Sequence, residues 1–291
     1  MSIAVVTDST AYLTDEEVKK YNIKVIPIPV VIDGRSYDEG VDITTEDFYD
    51  KLRNSNSFPS TSQPPIGEMI NLYNSLADEG YDTVISLHLA STISGFYNSL
   101  EQIAPSIEKI KVVPYDSKIT VKLLGYLAIQ ASKMAAKNYS VTEIIQYLDD
   151  LRSTIDEVFI VDDLQNLVRG GRLSNASAFI GGILKIKPLL TFDDQSNEIV
   201  AFEKVRSRKK ALGRVEQIFA DANQQASYPL RALILNANDP EGGNAWAKQI
   251  AQQYPNMTIE QSYFGPVIGT HLGEKALALA WLRDFEKTDQ F

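Results

Sequence analysis

The chain has 291 residues, of which 44% are hydrophobic and 23% charged, a balance typical of folded globular proteins rather than disordered or fibrous ones. Such a length predicts roughly two domains. Asp and Glu outnumber Lys and Arg by 38 to 28, and the net charge of −10 argues against a nucleic-acid partner because it repels phosphate backbones. Without cysteine the chain cannot form disulfides or thiolate metal sites, and its two histidines argue against a metal site built from imidazoles.

The start of the chain shows no targeting signal. Residues 3–6 form a short apolar run that no basic region precedes, so they do not match the core of a signal peptide. No window of the sequence approaches the ~18 to 20 consecutive apolar residues that cross a bilayer. We therefore expect a cytoplasmic protein with no membrane-spanning segment.

In the first half of the chain, runs rich in Val and Ile alternate with segments of helical periodicity, which is typical of an α/β sheet. The predicted strands are 3–6, 25–32, 83–89 and 112–113, and the predicted helices are 15–21, 66–79, 95–103 and 119–137. Thr14 and Ser140 are each followed three residues later by Glu, the capping box that begins a helix. Because proline cannot donate to a ladder, Pro27 and Pro29 predict that the second strand lies at a sheet edge or pairs on one side only.

The strand pattern restarts near residue 158, after a helix predicted near 141–153, and we place a domain boundary near 155. The fold class is α/β, with an N-terminal three-layer α/β sheet domain at 1–155 and a smaller C-terminal α+β domain at 156–291. The elements predicted in the second domain are a loop at 169–174, a helix near 175–184, strands near 188–193 and 198–206, a helix near 208–225, a strand at 230–236, a helix near 242–253, a strand at 257–263 and a helix from about 272.

Small polar residues gather where three predicted strands end, at 7–10, 91–95 and 116–117. Ligands of open α/β sheets bind outside the carboxyl ends of the strands, so these segments predict one crevice. Ser94 and Gly95 directly precede a predicted helix, where unpaired amides and the helix dipole favour an anion. The alternative for each segment is that its Ser, Thr and Asp residues only cap helices.

The sequence gives little support for catalysis or for a nucleotide site. Around Ser94 the first glycine of the G-x-S-x-G nucleophile elbow is missing, and the chain has neither a P-loop nor a G-x-G-x-x-G after its first strand. His88 falls inside a predicted strand and is interpreted as a hydrogen-bonded histidine of the core or the surface. His271 lies instead in a predicted polar loop at 265–271, a setting suited to contacting a ligand.

Arg169 and Arg172 flank two glycines in an otherwise acidic chain. One interpretation of this turn is a solvated loop that pairs with a neighbouring carboxylate. The alternative is an exposed docking surface for a partner, because guanidinium groups recognise carboxylates and phosphates.

Seven short segments, in order along residues 3–282, resemble the DegV family. They are Thr7-Asp8-Ser9, Thr61-Ser62-Gln63-Pro64, Ser94-Gly95, Asp116-Ser117, Arg169-Gly170-Gly171-Arg172-Leu173-Ser174, Lys187-Pro188 and Gly265-Pro266-Val267-Ile268-Gly269-Thr270-His271. Any one of these motifs is weak evidence, whereas seven in the same order are strong evidence. One departure is that Glu274-Lys275 follows Thr270-His271-Leu272-Gly273, where the family commonly has Pro-Gly.

The resemblance implies a two-domain α/β protein that binds one long-chain fatty acid of the palmitate or oleate class, with the tail buried and the carboxylate at a crevice between the domains. It implies no catalytic residue and no cofactor. The protein would present the acid to a separate ATP-dependent fatty-acid kinase, in lipid transport or fatty-acid metabolism, and Arg172 would face that kinase. The carboxylate ligands carried over by position are Thr61, Ser94, the Gly95 amide, Thr270 and His271.

Two other functions remain open from the sequence. One is a serine esterase or phosphotransferase that uses Ser94 with His271, and the other is a sugar- or metabolite-sensing module. A long-chain acid that co-purifies with the protein would favour fatty-acid binding, whereas an empty site with ester turnover would favour the hydrolase.

Overall fold

The structure, a computed structural model, describes residues 2–176 and 186–289. The chain divides into two compact units, and one segment from the first half of the chain belongs to the second unit. Of the described residues, the first unit comprises those up to Thr44 together with Ser55–Ser153, and the second comprises Thr45–Asn54 together with those from Thr154 to Asp289.

The helix Thr45–Asn54 lies between two parts of the first unit in the sequence and yet belongs to the second. Its Phe48 and Tyr49 side chains are fully buried, and the Tyr49 hydroxyl donates to the backbone carbonyl of Phe264 at 2.8 Å. The sequence prediction, which kept residues 45–54 within the N-terminal domain, is therefore corrected. The burial of these two rings places the helix in the second unit, although its neighbours in the sequence belong to the first.

The first unit alternates strands with helices, as predicted for an α/β sheet. Its strands are β1 (Ile3–Asp8), β2 (Ile23–Ile26), β3 (Pro29–Ile32), β4 (Arg35–Asp38), β5 (Ser60–Thr61), β6 (Thr83–His88) and β7 (Lys111–Asp116). Its helices are α1 (Asp15–Tyr21), α3 (Ile66–Asp78), α4 (Phe96–Ile103), α5 (Val121–Ala136) and α6 (Val141–Arg152). Strands β2-β1-β6-β7 form a parallel sheet in that order, and β4-β3-β5 form an antiparallel sheet.

Local sequence rules explain where α1 and α6 begin. The Thr14 and Ser140 side chains each accept a hydrogen bond from the backbone N–H of the glutamate three residues later, and each glutamate bonds back to its cap. Both predicted capping boxes are confirmed. Strand β6 is buried along its whole length, as expected at the centre of a parallel sheet against which α5 packs.

The segment predicted as one strand over 25–32 forms two strands in different sheets. Strand β2 ends at Ile26 on the edge of the parallel sheet, and β3 begins at Pro29 in the centre of the antiparallel sheet. Pro27 separates them, because it has no N–H to donate to a ladder. The predicted edge position is confirmed for β2 and is wrong for β3, which pairs on both sides.

The second unit is built on a six-stranded sheet with two large helices. Its strands are β8 (Asp156–Ile160), β9 (Lys187–Phe192), β10 (Ile199–Val205), β11 (Leu230–Asn236), β12 (Thr258–Tyr263) and β13 (Leu277–Arg283). Its helices are α2 (Thr45–Asn54), α7 (Gln165–Arg169), α8 (Arg208–Gln225), α9 (Pro240–Gln253), α10 (Pro266–Leu272) and α11 (Phe285–Thr288). The sheet order is β10-β9-β8-β13-β11-β12, with β11 and β12 parallel and the other neighbours antiparallel. Phe219 of α8, Trp246 of α9 and Trp281 of β13 belong to its buried core.

The helix predicted from about residue 272 is wrong, because residues 277–283 form β13 in the interior of the six-stranded sheet. Leu277 through Leu282 are all buried, since β8 and β11 flank the strand and α8 packs against it. A continuously buried apolar run has no periodicity that separates strand from helix. The helix predicted near 175–184 lies almost wholly outside the described residues.

Candidate functional site

Ser94 and Gly95 end the loop between β6 and α4, and Gly95 is the N-cap residue of α4. The Ser94 N–H donates to the Ala90 carbonyl at 3.2 Å, and Ser94 Oγ accepts from the Phe96 N–H at 3.3 Å. Because Oγ is an acceptor in this bond, the hydroxyl hydrogen can donate to a ligand. The predicted position of Ser94 and Gly95 at a helix N-terminus is confirmed, and this position favours an anion.

Thr61 lies on the two-residue strand β5, which pairs with β3. Two residues further along the chain, Gln63 Oε1 accepts a hydrogen bond from Ser99 Oγ of α4 at 2.8 Å. The amide of Gln63 also lies against Gly95, where a Cβ atom would be 2.5 Å from Gln63 Nε2. The loop that carries Thr61 is therefore attached to the first turn of α4, next to Ser94.

A buried chain of polar side chains lies at the carboxyl ends of β1 and β6. Tyr73 Oη is 2.9 Å from Ser86 Oγ, Ser86 Oγ is 2.8 Å from His88 Nε2, and His88 Nδ1 is 3.1 Å from Asp8 Oδ2. Asp8 Oδ2 also accepts from the Leu89 N–H at 2.9 Å. If His88 Nδ1 donates to Asp8 and His88 Nε2 accepts from Ser86, each of these hydrogen bonds has one donor and one acceptor. His88 is thus a hydrogen-bonded residue of the core, one of the two roles that its strand position predicted.

Donors of the protein itself occupy the carboxylates at two of the predicted polar strand ends. Asp8 Oδ1 accepts from Thr10 Oγ1 at 2.6 Å and from the Thr10 N–H at 3.1 Å. Asp116 accepts from Ser91 Oγ at 2.5 Å and from the Ser91 N–H at 3.1 Å. The capping interpretation fits Asp8, which caps the short 3-10 helix Ser9–Ala11, whereas Asp116 joins its own loop to the loop at Ser91. Ser94 differs, since its hydroxyl can donate outward.

Thr270 and His271 lie on α10, so the loop predicted at 265–271 is wrong. Pro266 occupies the first turn of this helix, where its missing N–H costs nothing. Thr270 is buried, and its hydroxyl donates to the Pro266 carbonyl at 2.8 Å inside the helix. The small and apolar residues of this segment form a helix because the fold buries them. That burial is visible only in the tertiary structure.

The His271 ring packs against the glycine turn that follows α7. A Cβ atom at Gly170 would lie 2.5 Å from His271 Nδ1, so this close approach depends on glycine. Burial, together with the positive charge of Arg172, lowers the pKa of His271 to about 4. His271 is therefore uncharged at neutral pH and would meet a carboxylate as a hydrogen-bond donor rather than as a cation.

The two arginines of the glycine turn differ in exposure. Arg172 is half-buried, and its guanidinium donates to the Gly170 carbonyl. Burial lowers the pKa of Arg172, although a guanidinium stays charged in proteins. Arg169 is exposed and donates to Gln165 at 3.1 Å. The predicted exposed cationic turn is therefore corrected in part, because Arg169 is exposed whereas Arg172 is not.

Glu274, the departure from the family pattern, has a local structural role. It forms an ion pair with Arg53 of α2 and accepts a hydrogen bond from Asn238 Nδ2 at 2.6 Å. The preceding Gly273 follows the last residue of α10 and has a φ of +73°, a positive value that glycine adopts without steric cost. Helix α10 ends at Leu272, and the glutamate ties the following turn to α2.

Acidification is expected to destabilise the second unit through His271. Its pKa is about 4 in the folded chain against an ordinary value of 6.5, so between these values the unfolded chain binds the proton and the folded chain does not. The free energy of unfolding should fall by about 2 kcal/mol between pH 7 and pH 5 for this group alone. Urea unfolding of wild type and His271→Gln at both pH values measures the effect as the change in their difference. A difference that is independent of pH would contradict the assignment.

The described residues of the two units give no support to the hydrolase alternative. Ser86, His88 and Asp8 have the connectivity of a Ser-His-Asp triad, but all three are fully buried, so a substrate cannot reach Ser86. The sequence alternative used His271 as the base instead. A pKa of about 4 makes His271 a weak base, and its charged neighbour Arg172 has the opposite sign from the aspartate of a triad.

Among residues 2–176 and 186–289, no three His, Asp or Glu side chains are arranged to hold a metal ion. No helix in the same part of the chain is long and apolar enough to cross a bilayer.

Sequence comparison relates almost the entire chain to known proteins. The model of the DegV family, described as an uncharacterised protein family, matches residues 2–284. A DegV domain-containing protein of Listeria monocytogenes is 48% identical over 279 residues, which are 96% of this chain and 98% of that protein.

Structural comparison extends the same relationship. The crystal structure of DegV, a fatty acid binding protein from Bacillus subtilis, matches with a TM-score of 0.89 and 41% identity, covering 98% of this chain and 100% of that one. A fatty acid binding DegV family protein from Streptococcus agalactiae matches with a TM-score of 0.90 and 34% identity, covering 98% of this chain and 99% of that one. These coverages include residues of both units.

Proposed function

Because the chain belongs to the DegV family, as its seven motifs predicted, we propose that it binds one long-chain fatty acid of the palmitate or oleate class. The observation that carries this proposal is the similarity to two fatty-acid-binding proteins, at 41% and 34% identity along 98% of the chain. The beginning of α4, with Ser94 and Gly95, is chemically suited to the anionic head of such an acid. The function is binding without catalysis and without a cofactor.

The proposed head-group ligands of the first unit are Thr61, Ser94 and the Gly95 amide. Two hydroxyls and an amide bind a carboxylate through neutral donors, and each such bond contributes about 1.5 to 3 kcal/mol. A buried lysine or arginine partner would hold the carboxylate more tightly and hinder its later phosphorylation. Of the two ligands predicted on α10, His271 keeps a neutral imidazole, whereas the Thr270 hydroxyl already donates within the helix.

The acyl tail is proposed to supply most of the affinity. Each methylene removed from water contributes about 0.8 kcal/mol, so a palmitoyl tail could contribute on the order of 11 kcal/mol before the cost of association and chain ordering. Head and tail then have different tasks, because the tail sets the affinity while the head sets the orientation of the acid.

Native mass spectrometry of the protein purified from a bacterial host tests the proposed function. The expected result is a mass increase equal to one long-chain acid, which disappears on delipidation and returns with added oleate. A protein that carries no lipid and gains no mass or thermal stability with oleate or palmitate would overturn the proposal. Turnover of model esters by such an empty protein would favour the hydrolase instead.

The bound acid is proposed to be a substrate for a separate ATP-dependent fatty-acid kinase, which would place the protein in the cytoplasm and in fatty-acid metabolism or transport. The glycine turn with Arg169 and Arg172 supports this proposal, because it presents cations on a chain of net charge −10. Guanidinium groups pair with carboxylates in a defined orientation, and opposite charges speed the encounter of two proteins.

Arg172→Ala is expected to leave the lipid content unchanged and to abolish acyl-phosphate formation with a fatty-acid kinase and ATP. Arg169→Ala removes the same charge from the exposed end of the turn and should lower kinase turnover as well, but to a smaller extent than Arg172→Ala. Kinase turnover of wild type should fall as salt screens the encounter. An Arg172→Ala protein without lipid would mean that the arginine supports the binding site, and undiminished turnover would mean that the kinase binds elsewhere.

A further inference from the structure

Gln63 is a polar residue of the proposed head-group region to which no role has been assigned. It lies two residues after Thr61 and directly before Pro64-Pro65, a stiff pair that limits the freedom of its backbone. Its side chain crosses to α4, where Oε1 accepts a hydrogen bond from Ser99 Oγ at 2.8 Å. Gln63 is exposed and lies on a loop, but its backbone and its side-chain amide are both restrained.

The bond to Ser99 determines which end of the amide approaches the beginning of α4. With Oε1 directed to Ser99, the Nε2 group lies beside Gly95, so close that a Cβ atom there would be 2.5 Å away. An amide nitrogen carries two hydrogens and only donates. The Gln63 amide thus adds donor hydrogens next to the Ser94 hydroxyl and the helix N-terminus, all within the first unit.

We infer that Gln63 is a further head-group residue, whose amide N–H donates to the fatty-acid carboxylate at Ser94 and Gly95. This inference rests on the proposed function, because it names an additional ligand of the same site. Ser99 is then a positioning residue, since it directs the Gln63 amide without touching the acid. Gly95 has a second task besides its own N–H, because any side chain there would displace the Gln63 amide.

A comparison of two ligands with the same tail tests this role. Affinities for oleate and for oleyl alcohol are measured by displacement of a fluorescent fatty acid from wild type, Gln63→Leu and Gln63→Glu. Loss of one hydrogen bond to a charged acceptor should weaken oleate binding by about 10- to 100-fold in Gln63→Leu. Gln63→Glu should weaken it further, because it places a second carboxylate beside the first. Oleyl alcohol, which has no carboxylate, should change by less than about threefold in both variants.

Three further variants separate a direct contact from a change in the fold. Gln102→Glu adds the same charge near the end of α4 and should leave oleate affinity unchanged. Ser99→Ala and Gly95→Ala leave Gln63 in the chain but release or displace its amide, so both should show the oleate-selective loss, with Ser99→Ala the weaker. Melting temperatures without ligand should stay near that of wild type for Gln63→Leu.

The outcomes distinguish this inference from the proposed function. Equal losses for oleate and oleyl alcohol, or no loss in Gln63→Glu, would overturn the role of Gln63 while fatty-acid binding stands. Wild type that displaces the probe with neither ligand would overturn both. A loss confined to oleate in Gln63→Leu, Gln63→Glu and Ser99→Ala, with Gln102→Glu unaffected, supports the inference.

Discussion

Asp8→Ala is expected to lower the free energy of unfolding of the first unit by about 3 to 5 kcal/mol. Asp8 is fully buried, and its two oxygens accept hydrogen bonds from Thr10, His88 and the Leu89 N–H. Without the carboxylate these donors stay buried with no acceptor, and each such group costs about 1 to 3 kcal/mol. Urea unfolding followed by circular dichroism measures the loss.

Asp33→Ala is the matched control for this prediction. Asp33 also accepts several bonds, among them 3.1 Å from the Ser57 N–H and 2.8 Å from Ser57 Oγ, but it is exposed. Water can replace a lost acceptor at the surface, so this variant should lose only about 1 to 2 kcal/mol, mainly because alanine is strained at the φ of +47° that Asp33 adopts. Equal losses in the two aspartate variants would show that burial is not what makes Asp8 important.

The hydrogen-bonded series of side chains that ends at Asp8 also reaches the proposed head-group region. The His88 ring lies 4.1 Å from the ring of Phe96, the first residue of α4, which directly follows Gly95. The residues that hold the ends of β1 and β6 together therefore support the loop that ends at Ser94. These polar residues offer no group to a ligand. Their burial is explained by the hydrogen bonds with which they stabilise the ends of the two strands.

Thr61→Ala and Ser94→Ala are each expected to weaken fatty-acid binding by about 1.5 to 3 kcal/mol without unfolding the protein, because each removes a hydrogen bond to a charged acceptor. The double variant should lose on the order of 3 to 6 kcal/mol if the two bonds are independent. The measurement is the rise in melting temperature on adding oleate, which should shrink in each single variant and nearly vanish in the double variant.

Hydroxyl residues next to the same positions serve as controls for the head-group variants. Ser62→Ala and Thr92→Ala remove an exposed hydroxyl beside Thr61 and two residues before Ser94. Both should keep the full effect of oleate. If Thr61→Ala and Ser94→Ala also keep it, the assignment of the head group to these two residues is wrong, although fatty-acid binding itself would still stand.

Features that depend on near neighbours in the chain could be predicted from the sequence. The capping boxes at Thr14 and Ser140 form because both partners lie within one helical turn. The helix N-terminus at Ser94 and Gly95 follows in the same way. Membership of the DegV family could also be predicted from the sequence, since finding seven short motifs in a fixed order requires no knowledge of how the chain packs.

Features that depend on which residues pack over a segment could be seen only in the tertiary structure. Residues 277–283 are a strand because β8 and β11 flank them, and residues 45–54 belong to the second unit because Tyr49 is buried against Phe264. The orientation of Gln63 likewise depends on Ser99, 36 positions away in the sequence. Burial and distant hydrogen-bond partners leave no periodic trace in a sequence, so composition and spacing cannot reveal them.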